Sequence, residues 1–244
     1  EQQAPPPSQG APNQFAYAIQ VDPAGASQEV VNQVKQLGIR WVKFQLSWKD
    51  IEPSQGQYNW GAWDQIMLTY HQAGFYILLS VVKAPDWARP SNTNFAEEGP
   101  PADPTTFARF LGEMLQRYRT GVQAIEVWNE QNLAREGGGA PMPAGDYVAL
   151  LSAAYRTIKA VDPSVIVLSG APTPAGDVPG AAIDDINYLN QMYAAGVKGV
   201  SDAIGVHPSG YNCPADADWQ TVTDPTAIFR GPFDNRHHSW CFRG

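Results

Sequence analysis

Near the middle of the chain an apolar run carries two acids four positions apart: Ala124-Ile125-Glu126-Val127-Trp128-Asn129-Glu130. On an extended strand, Glu126, Trp128 and Glu130 would share one face, and Ile125 and Val127 the other. A carboxyl at the end of such a strand can deliver and recover a proton if its surroundings bring its pKa toward the working pH. Other apolar runs end in a similar mixture. One closes with Ser47-Trp48 and continues to Ile51-Glu52-Pro53. Another closes with Lys83-Ala84-Pro85-Asp86-Trp87, and a third with Val206-His207-Pro208-Ser209-Gly210-Tyr211.

These ends need a scaffold that gathers them. Six β-rich runs, 15–21, 40–47, 76–82, 124–129, 165–168 and 203–207, alternate with segments of helical periodicity. The clearest is 106–118, where Phe107, Phe110, Leu111, Met114, Leu115 and Tyr118 follow the i, i+3, i+4, i+7 pattern behind the capping pair Asp103-Pro104. Segments 27–37, 63–73, 147–161 and 183–194 are further helices. Gly38, Gly74 and Gly196 follow three of them, where a left-handed residue ends a helix. Repeated β-α units imply a parallel sheet. Neither a Gly-x-Gly-x-x-Gly after the first strand nor a phosphate loop is present, which favours a (β/α) barrel over a nucleotide-binding doubly wound sheet. In Trp41 to Ser47, Val42, Phe44 and Leu46 would face the helices, and Lys43, Gln45 and Ser47 the barrel interior. Glu126 would then need a cationic partner, with Lys43 and Arg40 the candidates. Chemistry in a barrel collects at the carboxyl ends of the strands. A rim of Trp, Tyr, Asn, Glu and His there suits a sugar, offering indoles for its apolar faces and polar pairs for its hydroxyls.

Composition narrows the partners. The balance is acidic, 24 Asp and Glu against 16 Lys and Arg, for a net charge of −8. Nucleic acid, which requires a basic face, is excluded as a partner. Eight Trp, ten Tyr and nine Phe exclude a disordered chain. No stretch of about 18 apolar residues supplies a transmembrane segment. Residues 1–14 are rich in Pro and Gln and read as a leader or linker before a barrel domain over 15–244. The chain begins at Glu1, as a mature end left by signal-peptide cleavage would, so an extracellular or cell-surface location is expected. Cys213 and Cys241 are either two thiols or one disulfide stapling the segment after the sixth strand. The pair His237-His238 with Asp234 fits no standard ligand spacing, so neither a metal nor another cofactor is expected.

Trp128-Asn129-Glu130 at a strand end resembles the acid/base motif of clan A glycoside hydrolases. Three further stretches resemble the family 39 and cellulase-like branch of that clan. These are Trp41 through Pro53 with Gly56-Gln57-Tyr58-Asn59-Trp60 and Asp64, then Ala84-Pro85-Asp86-Trp87-Ala88-Arg89, and Asp202 to Pro208. The four lie in the right order within about residues 15–211. The resemblance implies a (β/α)8 TIM-type barrel that cleaves β-linked oligo- or polysaccharide with retention. Glu130 then matches the general acid/base and Asn129 the partner of the sugar 2-hydroxyl. Lys43 stands where this branch usually has Arg, which keeps the charge but not the bidentate fork. Trp48, Trp87, Trp128, His207 and Tyr211 complete the expected substrate-binding set. Glu126, Glu52 and Asp50 are expected to brace the structure.

One element of the family pattern is not in this sequence. The nucleophile is a Glu ending strand seven, whereas the last of the nine Glu here is Glu136. About six of eight strands can be counted, and an open barrel would expose two sheet edges. Three expectations follow: the polypeptide continues past Gly244, a second chain completes the barrel, or an incomplete barrel binds glycans or has a surface-structural role without turnover.

Overall fold

The computed structural model describes residues 15–209. Residues 1–14, Tyr211, Cys213, Cys241 and the Asp234, His237, His238 group lie outside them. Five strands, β1 (Ala18–Gln20), β2 (Trp41–Ser47), β3 (Tyr76–Val82), β4 (Ala124–Val127) and β5 (Ile166–Ser169), form one sheet in chain order. Every pairing is parallel. The helices are α1 (Gln28–Gln36), α2 (Trp48–Ile51), α3 (Gly61–Gln72), α4 (Pro104–Arg117), α5 (Ala134–Gly137), α6 (Ala144–Val161) and α7 (Asp185–Ala194). Consecutive parallel strands connected through helices make this part of a TIM-type (β/α) barrel. Among the described residues no helix is long and apolar enough to cross a membrane.

Local sequence accounts for the element boundaries. Ser27 Oγ accepts from Val30 N–H to cap α1, Asp103 accepts from Thr105 N–H to cap α4, and Asp184 accepts from Ile186 and Asn187 N–H to cap α7. Pro104, whose missing N–H costs nothing in a first turn, opens α4. Gly38, Gly74 and Gly196 have φ of 71°, 83° and 93°, a region that favours residues without a Cβ.

The alternation of β2 becomes packing. Val42, Phe44 and Leu46 are fully buried, and the Phe44 ring meets Trp63 and Tyr70 of α3 edge-on at 6.1 and 4.9 Å. Trp48, Phe110 and Trp60 then stack in sequence, at 5.4 Å and 5.8 Å between centroids, filling the space between the exit of β2 and α4. The helix pattern of 106–118 places Phe107, Phe110, Leu111 and Met114 against the sheet, all fully buried.

The expected sixth strand reaches the sheet only as one parallel bridge between Ala203 and Leu168. Backbone and side chains share the pairing there, with Asp202 N–H donating to Val167 O at 2.8 Å and Ser169 N–H to Ala203 O at 3.0 Å. The Asp202 carboxylate accepts from Val167 N–H at 2.8 Å, and Ser169 Oγ accepts from Gly205 N–H at 3.0 Å. Gly205 is needed at that approach, since a Cβ would lie 2.4 Å from the Ser169 carbonyl oxygen.

Candidate active site

The carboxyl ends of β2, β3 and β4 are held together by their own backbone. Lys49 N–H donates to Lys83 O at 2.9 Å, and Trp128 N–H donates to Val81 O at 3.0 Å. Three non-glycine residues at these ends sit in the left-handed region: Lys83 at φ 63°, Trp128 at 75° and Glu130 at 44°. Such conformations cost roughly 1–3 kcal/mol each and persist where the surroundings over-determine them. The two residues after Glu130 do so here. Gln131 and Asn132 are fully buried. Gln131 donates to Gly170 O at 2.8 Å. Asn132 donates to Thr173 O and Ile183 O and accepts from Thr173 N–H, each at 2.9 Å. Buried Tyr147 joins the same seam, donating to Val127 O at 2.9 Å and accepting from Gly170 N–H at 2.6 Å. Glu130 N–H itself donates to Ala171 O at 3.0 Å. The backbone of Glu130 is therefore pinned to the exit of β5.

Its carboxylate is pinned as well. One oxygen, Oε1, lies 3.1 Å from His207 Nδ1, and the other accepts from the Arg135 guanidinium. Burial pushes the Glu130 carboxyl up, but the bonds from His207 and Arg135 overcome it and bring it down to about 2. Glu136, next to Arg135 on α5, goes the other way. Burial first, and then the Glu130 charge, raise it to about 7. Two neighbouring carboxyls are thus pushed in opposite directions, a pattern found in proton-transfer sites and in structural ion-pair networks alike.

The raised group has a consequence for stability. Between about 4.5, its ordinary value, and about 7, the folded chain binds more protons at Glu136 than the unfolded chain does, so stability falls as pH rises through that window. Glu136→Gln is expected to raise stability by about 1–3 kcal/mol at pH 8 and to change little at pH 4. Denaturant unfolding at the two pH values checks this, and equal effects at both would contradict the assignment.

Lys43 and Glu126 meet as the strand pattern predicts, Nζ to Oε2 at 2.6 Å, with Glu126 buried in the barrel interior. Arg40, the other candidate partner, stands over the Tyr76 ring instead. Glu52 is a brace, as expected: it is fully buried, and its carboxylate accepts from Trp48 Nε1, Gly56 N–H and Arg109, each at 2.7 Å. Asn129 is half-buried beside Glu130.

Two of the expected sugar platforms are placed elsewhere. Trp48 and Trp128 are both fully buried and pack on Phe107 of α4, at 5.5 and 6.0 Å. For Trp128 the cause is its positive φ, which ends the strand alternation at Val127 and turns the indole outward, where Nε1 donates to Glu136 O. For Trp48 the cause is the start of α2. Neither ring has a face open to a sugar. Trp87 alone of the three keeps some exposure, with Nε1 donating to Glu52 O at 3.0 Å.

Sequence reasoning passed over Arg135, Glu136, Gln131, Asn132 and Glu98. The polar run Gln131-Asn132 directly after Glu130 is a signal for a pinned backbone. Nothing in the sequence brings Glu98 to Lys49, 2.6 Å away across 49 positions.

The family 42 glycoside hydrolase model, described as beta-galactosidase, matches residues 17–124 and so ends before Asn129 and Glu130. No curated protein sequence matches the chain. Among solved structures, the chain is similar to a family 39 glycoside hydrolase from Bacteroides cellulosilyticus WH2, with TM-score 0.59 and 20% identity over 80% of this chain and 39% of that one. It is similar to the family 39 enzyme from Xanthomonas axonopodis pv. citri, with TM-score 0.58 and 21% identity over 80% and 41%. It is also similar to a beta-galactosidase from Marinomonas ef1, with TM-score 0.57 and 12% identity over 81% and 41%. The chain shares the fold of these solved structures and spans about two fifths of their length.

Proposed function

We propose that this chain carries the acid/base half of a retaining glycoside hydrolase acting on β-linked oligo- or polysaccharide. The observation that carries this reading is Glu130, a carboxylate fixed at the exit of β4 with one oxygen accepting from Arg135 of α5 and the other 3.1 Å from His207 Nδ1. Glu130 protonates the leaving oxygen as the glycosidic bond breaks, then takes a proton from the water that releases the sugar. Asn129 holds the sugar 2-hydroxyl. Trp87, His207 and Lys43 line or order the cleft, while Trp48 and Trp128 brace the strand exits from the side of α4. The attacking carboxylate, about 5–5.5 Å across the cleft, comes from strand seven, supplied by polypeptide beyond Gly244 or by a second chain. Export to the cell surface or beyond, with residues 1–14 as leader or linker, belongs to the same proposal. The beta-galactosidase description of the matching family model and the family 39 relatives support this reaction class.

The test is turnover by the full-length polypeptide on a panel of aryl β-glycosides and β-linked polysaccharides, with the first-formed anomer read by proton NMR. Release of the β-anomer is expected. Release of the α-anomer would overturn retention. Binding of oligosaccharide with no release from any substrate would favour the second reading, a glycan-binding protein without turnover, for which the two-sided hold on Glu130 speaks.

A further inference from the structure

Burial of Trp48 and Trp128 removes two indoles from the surface, but one other ring stands out at the carboxyl end of the sheet. Phe95 is 48% exposed and lies in the segment between β3 and α4, which the topology places on the carboxyl side. The other strongly exposed rings among the described residues are elsewhere: Phe15 and Tyr17 precede β1, and Tyr193 is on α7. The Phe95 ring is held in place. It is the second residue of a turn in which Glu97 N–H donates to Asn94 O at 3.2 Å and Ala96 N–H donates to Asn94 Oδ1 at 3.0 Å. Arg89, itself buried, lies over the ring, its guanidinium carbon 5.0 Å from the centroid. The same guanidinium donates to Asn94 O at 2.9 Å and to Thr93 Oγ1 at 3.2 Å. The cation against the ring therefore also fixes the turn that carries it.

That turn is fastened to three strand exits. Asn94 N–H donates to Gly138 O at 2.9 Å and Glu98 N–H donates to Arg135 O at 3.0 Å, both in the segment after β4. Glu98 Oε1 lies 2.6 Å from Lys49 Nζ, beyond β2, and 3.7 Å from Lys83 Nζ, beyond β3. The seam is close-packed, since a Cβ on Gly138 would fall 2.1 Å from Thr93 Oγ1, and one on Gly99 2.8 Å from Arg89 Nη2. A single exposed apolar side chain is ordinary on a protein surface. Here the chain spends a buried arginine and a glycine-tight seam on keeping one ring out in water, on the face where a barrel gathers its substrate.

We propose that Phe95 is a stacking platform for a sugar unit of a β-linked oligo- or polysaccharide, beyond the unit whose bond is cleaved. The inference rests on the reading of Glu130 as acid/base. The turn of Phe95 is linked to Glu130 through the Glu98 backbone and the Arg135 side chain, which sets the ring beside the acid/base rather than on it. A phenyl ring offers an apolar face to the C–H face of a pyranose and no polar atom to its hydroxyls. Phe95 therefore senses that another sugar is present, not which sugar it is. Its contribution is a preference for longer chains over short glycosides.

The experiment compares Phe95→Ala, Phe95→Leu and Phe95→Trp in the full-length polypeptide. The probes are β-linked hexasaccharides of glucose, xylose, mannose and galactose and the nitrophenyl β-glycosides of the same sugars. On the hexasaccharide turned over best, Phe95→Ala and Phe95→Leu are expected to raise KM about 10-fold with a smaller change in kcat, and Phe95→Trp to stay within about threefold of wild type. The loss of kcat/KM on that hexasaccharide should exceed the loss on the nitrophenyl glycoside by a similar factor. Equal losses on both probes, no loss on either, or turnover confined to nitrophenyl glycosides overturns the inference. If Phe95→Ala does not fold, Phe95→Leu, which keeps apolar bulk against Arg89 without a ring face, decides through the same ratio. If the polypeptide binds hexasaccharides without cleaving them, the same change is read in the calorimetric Kd, and an unchanged Kd, or no binding at all, overturns the inference. The underlying reading fails separately, if Glu130→Gln retains wild-type turnover.

Discussion

Glu130→Gln in the full-length polypeptide is expected to lower the rate of glycoside hydrolysis by about 10²–10⁴-fold. The substitution keeps the shape of the side chain and one acceptor oxygen, so Arg135 or His207 can still donate to it. What it removes is the proton. The structural cost is modest and has a defined pH dependence. Because the wild-type carboxyl is held down to about 2, its ion pairs stabilise the fold above its ordinary value of about 4.5 and are lost as pH falls toward about 2. The variant should therefore be somewhat less stable than wild type at pH 7 and equal to it near pH 2. Thermal unfolding at both pH values separates this effect from the catalytic one. Unchanged hydrolysis of both an activated aryl glycoside and a polysaccharide would remove Glu130 from the reaction.

Glu52→Ala is expected to destabilise the fold by about 3–5 kcal/mol, the range for breaking a buried ion pair. Glu52 has no exposed surface, and its loss would leave Trp48 Nε1, Gly56 N–H and part of Arg109 without an acceptor. Arg109 also donates to Tyr58 at 2.6 Å and lies over the Trp87 ring, so the damage spreads along the β2 exit. Arg109→Ala should cost less, because Glu52 loses its counter-charge but keeps the bonds from Trp48 Nε1 and Gly56 N–H. The double variant should cost clearly less than the sum of the two, because each single change leaves the other partner uncompensated. Chemical denaturation of the three variants measures this. Additive effects would mean that the pair is not coupled.

What could be read from the sequence was what a strand or a helix decides locally. The alternation in Trp41–Ser47 put Phe44 toward α3 and Lys43 toward Glu126, because side-chain direction in a strand follows position alone. The rim residues were found but not their directions. Trp128 turns outward because a backbone φ of 75° breaks the alternation, and nothing in Val127-Trp128-Asn129 announces that angle. The β5 exit differs for a related reason. The apolar run 203–207 reads as a sixth strand, but its backbone bonds to Val167 and Ser169 stop at Ala203, and Gly205 N–H is taken by the Ser169 hydroxyl instead. Contacts such as Glu52 with Arg109, 57 positions apart, arise only when the loop after β2 and α4 come together.

The order of the sheet also bears on how the chain is made. Each strand from β2 to β5 pairs with the one immediately before it in sequence. During synthesis, a strand leaving the ribosome therefore finds its hydrogen-bonding neighbour already outside the exit tunnel, and no strand waits for a distant partner. The sheet can grow from its amino-terminal side one unit at a time. Its growing edge is always the most recently made strand, so translation itself sets the direction in which the barrel is assembled.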